Sequence, residues 1–400
     1  MSTYPPPSPI YTTPDNWFAH DTMAVRLPKN IRLASTYYTD TPAIAQALRV
    51  LAQAIESDRP LREALDPNIP FALSPLAWDY DEWMAELEPF KEDSWHATSW
   101  FFAETFAFRL SLEASRFFAN RRDPFGPLKQ KELETDGPAG PVLRFLQESQ
   151  SLGKKESPRD RTLRALHLCI WGNKADLSFT AGGTLDHQAG DSKNLLINDD
   201  EKVADLLTHP TGPIHIIMDN SGAELAGDLI LADELANQGT PVILRPKLYP
   251  TYVSDTLPED ITNFLAYFAL HKNEDLQLWA GEITSHLKSG RIQVIPDDFW
   301  CQTKFLSQAP PRILQTFTGA GCIIIKGDFN YRRGMRDTQW DASVPVRQAM
   351  GISKELPPFL YLRTMKSDCL AGLAQEIRDG LDQTIPGWRI QGKKGLIQLA

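Results

Sequence analysis

Residues 214–237, IHIIMDNSGAELAGDLILADELAN, carry the reading on which the fold turns. An apolar run broken only by His215 ends at Met218, an acid and an amide follow, and a helix-period run opens after Ser221-Gly222. A short, nearly continuous apolar run closed by turn residues is the pattern of a strand buried on both faces, and such strands belong to parallel sheets covered by helices. Outward from this stretch the texture repeats: LLIN at 195–198, VILRP at 242–246, IQVI at 292–295, CIIIKGD at 322–328 and YLRT at 361–364 alternate with helical patterns. This alternation predicts βαβ units in an α/β protein, with a three-layer α/β/α core and a mostly parallel, Rossmann-like sheet over residues 158–400.

Upstream the pattern is helical. PAIAQALRVLAQAIES at 42–57 places apolar groups at helical spacing behind Thr41 and Pro42, and the aromatic-rich stretch from Trp95 to Phe118 contains no glycine or proline. Further helices are expected at roughly 140–151 and 159–171, joined by the polar GKKESPRD, and no strand is expected before Leu168. The domain reading is a flexible, proline-rich arm over 1–14, an α-helical subdomain over 15–157 and the α/β/α core thereafter. No internal repeat points to a solenoid or propeller.

At 400 residues, 42% hydrophobic and 23% charged, the chain can bury a large core. A net charge of −10 argues against nucleic acid as a partner, so an anionic substrate needs local cations. Cys169, Cys301, Cys322 and Cys369 lack CxxC spacing, which disfavours a thiolate zinc site and fits a reducing, cytoplasmic setting. No apolar run approaches the roughly 18 residues of a membrane span. The polar N-terminus does not read as a signal peptide.

In open α/β sheets, ligands sit beyond the carboxyl ends of the strands, and several strand ends here are polar. IHIIM runs into Asp219, Asn220 and Glu224; VILRPKLYPTYVSD supplies Asp255; CIII emerges into Lys326-Gly327-Asp328-Phe329-Asn330-Tyr331-Arg332; and LPPFLYL ends in Arg363-Thr364-Met365-Lys366. Asp219 and Asn220 offer hard oxygen ligands that favour Mg²⁺ or Mn²⁺ over zinc, although the same residues suit a helix cap and turn. The acid, amide, phenol and cation after CIII would read an oxyanion and hydroxyls. His215, inside a strand, is read as a core or supporting group.

Taken together, DNSGAEL with DLILADEL, YVSD, KGDFNYR and RTMK resemble the metal-dependent damage-control phosphatases, most closely their third subfamily, which carries an RTxK motif and has also been described as acidic-residue methyltransferases. FAETFAFR at 102–109, RDPF at 122–125, WGNKADLSF at 171–179 and the terminal GKKGLIQ extend the likeness over most of the chain. The resemblance implies that Asp219, Asn220 and Asp255 bind a divalent metal, Mn²⁺ or Ni²⁺ foremost, with Co²⁺ or Mg²⁺ as alternatives. It implies that Asp328, Asn330, Tyr331 and Arg332 hold a sugar phosphate such as fructose 1-phosphate. Lys366 would neutralise the phosphoryl group, and Glu224 is an acid near the site. Asp219, Asp328 and Lys366 form the catalytic set, with Asp328 or Glu224 as acid/base. Arg26 would close over the pocket, which Asn173 and Asp176 would line.

Three alternatives remain. S-adenosylmethionine-dependent glutamate methyl transfer would want a glycine-rich loop after the first strand, whereas TGAGC at 318–322 precedes one. A covalent aspartyl phosphatase would want an acid where Ser221 stands. A member repurposed for a specialised phosphate ester, or for binding alone, keeps the same residues. No P-loop, GxSxG elbow or HExxH motif is present.

Overall fold

A computed structural model describes residues 6–135, 137–171 and 193–400. Seven strands form one sheet in the order β1-β7-β6-β5-β2-β3-β4, with β1 at Leu195–Asn198, β2 at Ile214–Ile217, β3 at Val242–Arg245, β4 at Ile292–Val294, β5 at Cys322–Lys326, β6 at Phe359–Thr364 and β7 at Gly395–Leu399. The run β6-β5-β2-β3-β4 is parallel throughout; β7 lies antiparallel to β6 and carries β1 parallel to itself. Every residue of β2 and β5 is buried, which is why these strands read as apolar runs and not as alternations.

The two faces of the sheet separate the core by the two-residue period of a strand. Ile217, Ile323, Ile325, Phe359 and Tyr361 face one cluster, which is continuous with the N-terminal helices. Ile214, Ile216, Val242, Leu244, Ile324 and Leu360 face the other, formed with helices Pro158–Trp171, Ala223–Asn237, Pro258–Ala269 and Glu274–Ser289. The three-layer α/β/α architecture expected from the sequence is therefore present. The N-terminal helices are one of its layers, packed directly on the sheet.

The helices Pro42–Glu56, Ala139–Leu152 and Pro158–Trp171 lie close to their expected bounds, while the aromatic stretch is helical over Trp100–Ala114 and buried except at Glu113. No strand precedes β1 among the described residues. The proposed free arm needs correcting. Ile10 is buried and donates to Asp337 O at 2.9 Å, and Thr12 donates to Thr98 O at 2.9 Å. These bonds pin residues 9–12 onto the body of the protein.

Helix Ala223–Asn237 is buried along its whole length except for Asn237, so its acids need partners. Asp233 faces His286 at 3.4 Å, and burial, with Glu282 and Glu234 adding repulsion, pushes its carboxyl up to about 7. A folded value above the unfolded 3.8 means that ionisation favours the unfolded chain: stability falls as pH rises from about 4 to about 7 and the penalty is complete above that. Asp233→Asn should therefore stabilise the protein by about 2 kcal/mol at pH 8 and progressively less toward pH 5. Urea denaturation at the two pH values checks this, and an equal gain at both would refute it.

Candidate active site

From β2 the chain moves outward through β3 and β4, then returns past β2 to lay down β5 and β6 on its other side. β2 and β5 are thus neighbours from which successive connections leave in opposite directions. The resulting crevice at their carboxyl ends is the topological switch point of the sheet. Asp219 leaves β2 there and Gly327-Asp328 leaves β5. Gly327 has φ +81°, and a Cβ at this position would lie 1.9 Å from Asp219 Oδ2. The absence of a side chain is what lets the Asp219 carboxylate sit against the end of β5.

Backbone bonds bring the second acid in. Ser221 N donates to Ser254 O at 2.7 Å and Thr256 N to Asp219 O at 2.8 Å, closing an antiparallel bridge between Asn220 and Asp255. Residues 35 positions apart in sequence are thereby fixed side by side. Asn220 Oδ1 accepts from Ser254 Oγ at 2.7 Å, while its Nδ2 donates to Asp219 Oδ2 at 3.0 Å and to Glu224 Oε2. The following helix is held at its first turn by Glu132, whose Oε1 accepts from Ala223 N at 3.3 Å. Gly222, at φ +69°, leaves the room this carboxylate needs.

These acids are electrostatically uncomfortable. Burial and repulsion from Glu224 and Asp255 hold the Asp219 carboxyl well above the usual range. Burial likewise pushes Asp255 up to about 6, against the pull of Lys247 and Lys129. Lys247, which the sequence reading missed, is fully buried with its Nζ 3.3 Å from Asp255 Oδ2. Its only signal in the sequence is a lysine just past the end of β3.

Asp328 behaves differently. Its Oδ1 accepts from Arg363 Nε at 2.7 Å and from Lys366 N at 2.9 Å. Burial pushes its carboxyl up, but Arg363 and Arg332 outweigh it and hold it below the usual range. Asp328 is therefore a fixed carboxylate, poorly suited to give up a proton. Arg363 does not reach the cleft: it also donates to Cys369 O at 2.6 Å and Ser367 O at 3.0 Å, folding the RTMK segment into a loop that leaves Lys366 exposed.

Asp219, Asn220, Glu224, Asp255, Asp328, Arg332 and Lys366 line one cleft of ≈ 320 Å³, joined by Arg26 from a π-helical turn in the N-terminal layer. Asn330 and Tyr331 do not belong to it. Asn330 Nδ2 braces the strand ends by donating to Met218 O at 3.0 Å and Lys326 O at 2.9 Å. Tyr331 is fully buried, its hydroxyl 3.2 Å from Gln398 Oε1, so both expected substrate contacts are structural supports. Every residue of a short helix after a strand cannot face the same way, and the motif spelling hides this. His215 is a core residue, with Nδ1 accepting from Arg245 Nε at 3.4 Å. Asn173 and Asp176 lie outside the described residues. A larger hollow of ≈ 460 Å³, lined by Lys129, Ser221, Asp260 and Phe264, lies along the same loops but contains none of the converging acids.

A family model for the damage-control phosphatase ARMT1-like domain matches residues 22–381. The chain belongs to this family. Damage-control phosphatase ARMT1 of Xenopus laevis is 24% identical over 378 residues, covering 88% of this chain and 85% of that protein. The mouse protein of the same name is 26% identical over 379 residues with the same coverage, and the human one is 30% identical over 261 residues, 60% of this chain and 59% of its own. A DUF89 family protein from Pyrococcus horikoshii aligns with 90% of this chain and 93% of its own at 15% identity and a TM-score of 0.45. Membership of the ARMT1-like phosphatases makes phosphate-ester hydrolysis the reaction class of this chain. The glycines of TGAGC precede the amino end of β5, opposite the carboxyl ends where the cleft lies, so in this ARMT1-like chain they form no cofactor loop beside the acids. No described helix is long and apolar enough to cross a membrane.

Proposed function

We propose that this protein is a metal-dependent phosphatase acting on small phosphomonoesters, sugar phosphates such as fructose 1-phosphate among them. The observation that carries this reading is that Asp219, Asn220 and Asp255 share a single cleft at the switch point with the exposed cation Lys366. The donor set fits a hard divalent cation, with Mn²⁺ or Ni²⁺ foremost and Co²⁺ or Mg²⁺ as alternatives. Two crowded, buried carboxylates gain from a positive charge, and among the described residues Asp255 Oδ2 is met only by the Lys247 ammonium at 3.3 Å. Turning the Asn220 amide about χ2 would bring Oδ1 to the Asp219 side. Among the described residues no three His, Cys, Asp or Glu side chains group as a metal site, so a cation here depends on Asn220 and on substrate or water oxygens.

A divalent cation held there supplies Lewis-acid polarisation of the phosphoryl group. The chain does the rest. Lys366, whose charge reaches Asp219, neutralises the phosphoryl oxygens from the open side, while Arg332 lines the cleft with its charge shared between Asp337 and Glu104. With Asp328 tied down as a carboxylate, proton transfer falls to Glu224, held beside Asn220. The four cysteines are unpaired and buried, which suits the reducing cytoplasm.

The test is phosphate release from sugar phosphates and p-nitrophenyl phosphate with Mn²⁺, Ni²⁺, Co²⁺, Mg²⁺ or EDTA. Release is expected with metal and should stop in EDTA. Folded protein that releases phosphate equally well in EDTA would overturn the metal dependence, and none under any condition would overturn the substrate class.

A further inference from the structure

One buried carboxylate in the cleft has no part in metal or phosphoryl binding. Glu104 comes from helix Trp100–Ala114 in the N-terminal layer and is 9% exposed. Its Oε2 accepts from Arg332 Nη1 at 2.8 Å and from the Tyr252 hydroxyl at 3.3 Å. Both of these bonds fall on Oε2, and Glu104 lines the cleft. The carboxylate is therefore held by one oxygen and offers the other.

Its two partners are themselves fixed at some expense. Arg332 is gripped by Asp337, with Nε 2.7 Å from Oδ1, and its guanidinium lies 3.6 Å above the Trp100 ring. Tyr252 adopts φ +57°, a left-handed conformation uncommon for a bulky residue, and from there its ring packs 4.4 Å from Phe329 while its hydroxyl meets Glu104. Charge adds a second constraint. Five carboxylates, Glu104, Asp219, Glu224, Asp255 and Asp328, line the cleft against Arg26, Arg332 and Lys366. A divalent cation and one phosphoryl group leave no place for a further anion beside Glu104, but an oxygen acceptor there suits a hydroxyl donor.

We propose that Glu104 selects the alcohol part of the phosphoester, accepting a hydroxyl from it through Oε1 and repelling substrates that carry a second anionic group. This rests on the phosphatase reading above. It makes the preferred substrate a phosphomonoester of a neutral, hydroxylated compound, and it makes Glu104 a specificity residue supplied by the helical layer, with Arg332 and Tyr252 as its positioning residues.

The experiment compares kcat/KM of wild type and Glu104→Gln, with Mn²⁺, on fructose 1-phosphate, p-nitrophenyl phosphate and 3-phosphoglycerate. Glutamine keeps an acceptor for Arg332 and removes the charge. The ratio of fructose 1-phosphate to 3-phosphoglycerate should fall by about tenfold or more, with an absolute gain on 3-phosphoglycerate that a merely loosened site would not produce. An equal fall on all three compounds, or an unchanged ratio, overturns the role of Glu104 while leaving the phosphatase reading standing. Wild-type protein that releases phosphate from none of them removes both.

Discussion

Asp219→Asn should abolish metal-dependent phosphate release, lowering kcat/KM by about a thousandfold or more, while leaving the apo protein as stable as wild type or more so. The loss follows from geometry. Asp219 is the acid at the meeting point of β2 and β5, seated where the missing side chain of Gly327 leaves it room. The gain follows from electrostatics. Asp219 is buried beside Glu224 and Asp255, and asparagine removes one of three crowded negative charges without changing shape. Two measurements test the two halves. Wild type should show a rise in thermal midpoint on adding Mn²⁺, since saturation to about a hundred times Kd adds about 2.7 kcal/mol, and the variant should show none. In EDTA the order should equalise or reverse. A variant that still responds to Mn²⁺ would move the metal away from Asp219, and one that is less stable in EDTA would mean that Asp219 is a structural acid.

How much of this was legible in the sequence depends on what each residue type must do. The sheet was legible because strands buried on both faces have to be apolar, so β2 and β5 stand out as IHII and CIIIK. That Asp219, Asn220, Asp328 and Lys366 would gather at one end of the sheet was legible because strand ends in such sheets are where polar groups converge. The limits are equally physical. Asn330 and Tyr331 share a motif with Asp328 and Arg332, but the first braces strand ends and the second is buried under the sheet, because helical geometry turns neighbouring side chains to different faces. Lys247 was invisible because a lysine after a strand normally reaches solvent, and only the tertiary structure shows it buried against Asp255. Residues 9–12 looked like a free arm because backbone pairing leaves no signature in a proline-rich sequence.

The second large effect concerns a pair the chemistry does not touch. Lys326 and Asp228 are both 1% exposed at their side chains, with Nζ 2.6 Å from Asp228 Oδ1, and Lys326 also donates to Cys169 O at 2.7 Å. Burial pulls the Lys326 ammonium toward losing its proton, but the Asp228 carboxylate outweighs this and holds it charged. Removing one partner of such a pair strands the other charge away from water, so Lys326→Met should cost about 3–5 kcal/mol of stability in denaturant unfolding. Replacing both, Lys326→Met with Asp228→Leu, should recover most of that loss, giving a coupling energy of about 2–3 kcal/mol in a double-mutant cycle. A cost under about 1 kcal/mol for the single variant would show that Asp228 finds water or another donor. The pair also has a position that matters for function. Asp228 lies one turn beyond Glu224, and Lys326 immediately precedes Gly327-Asp328, so the ion pair ties the helix after β2 to the end of β5. The apolar double variant should therefore regain stability without regaining full phosphate release, because methionine and leucine fill the space but do not fix the spacing between Asp219 and Asp328. Full recovery of both would mean that packing alone positions the crevice and that the buried charges add only cost.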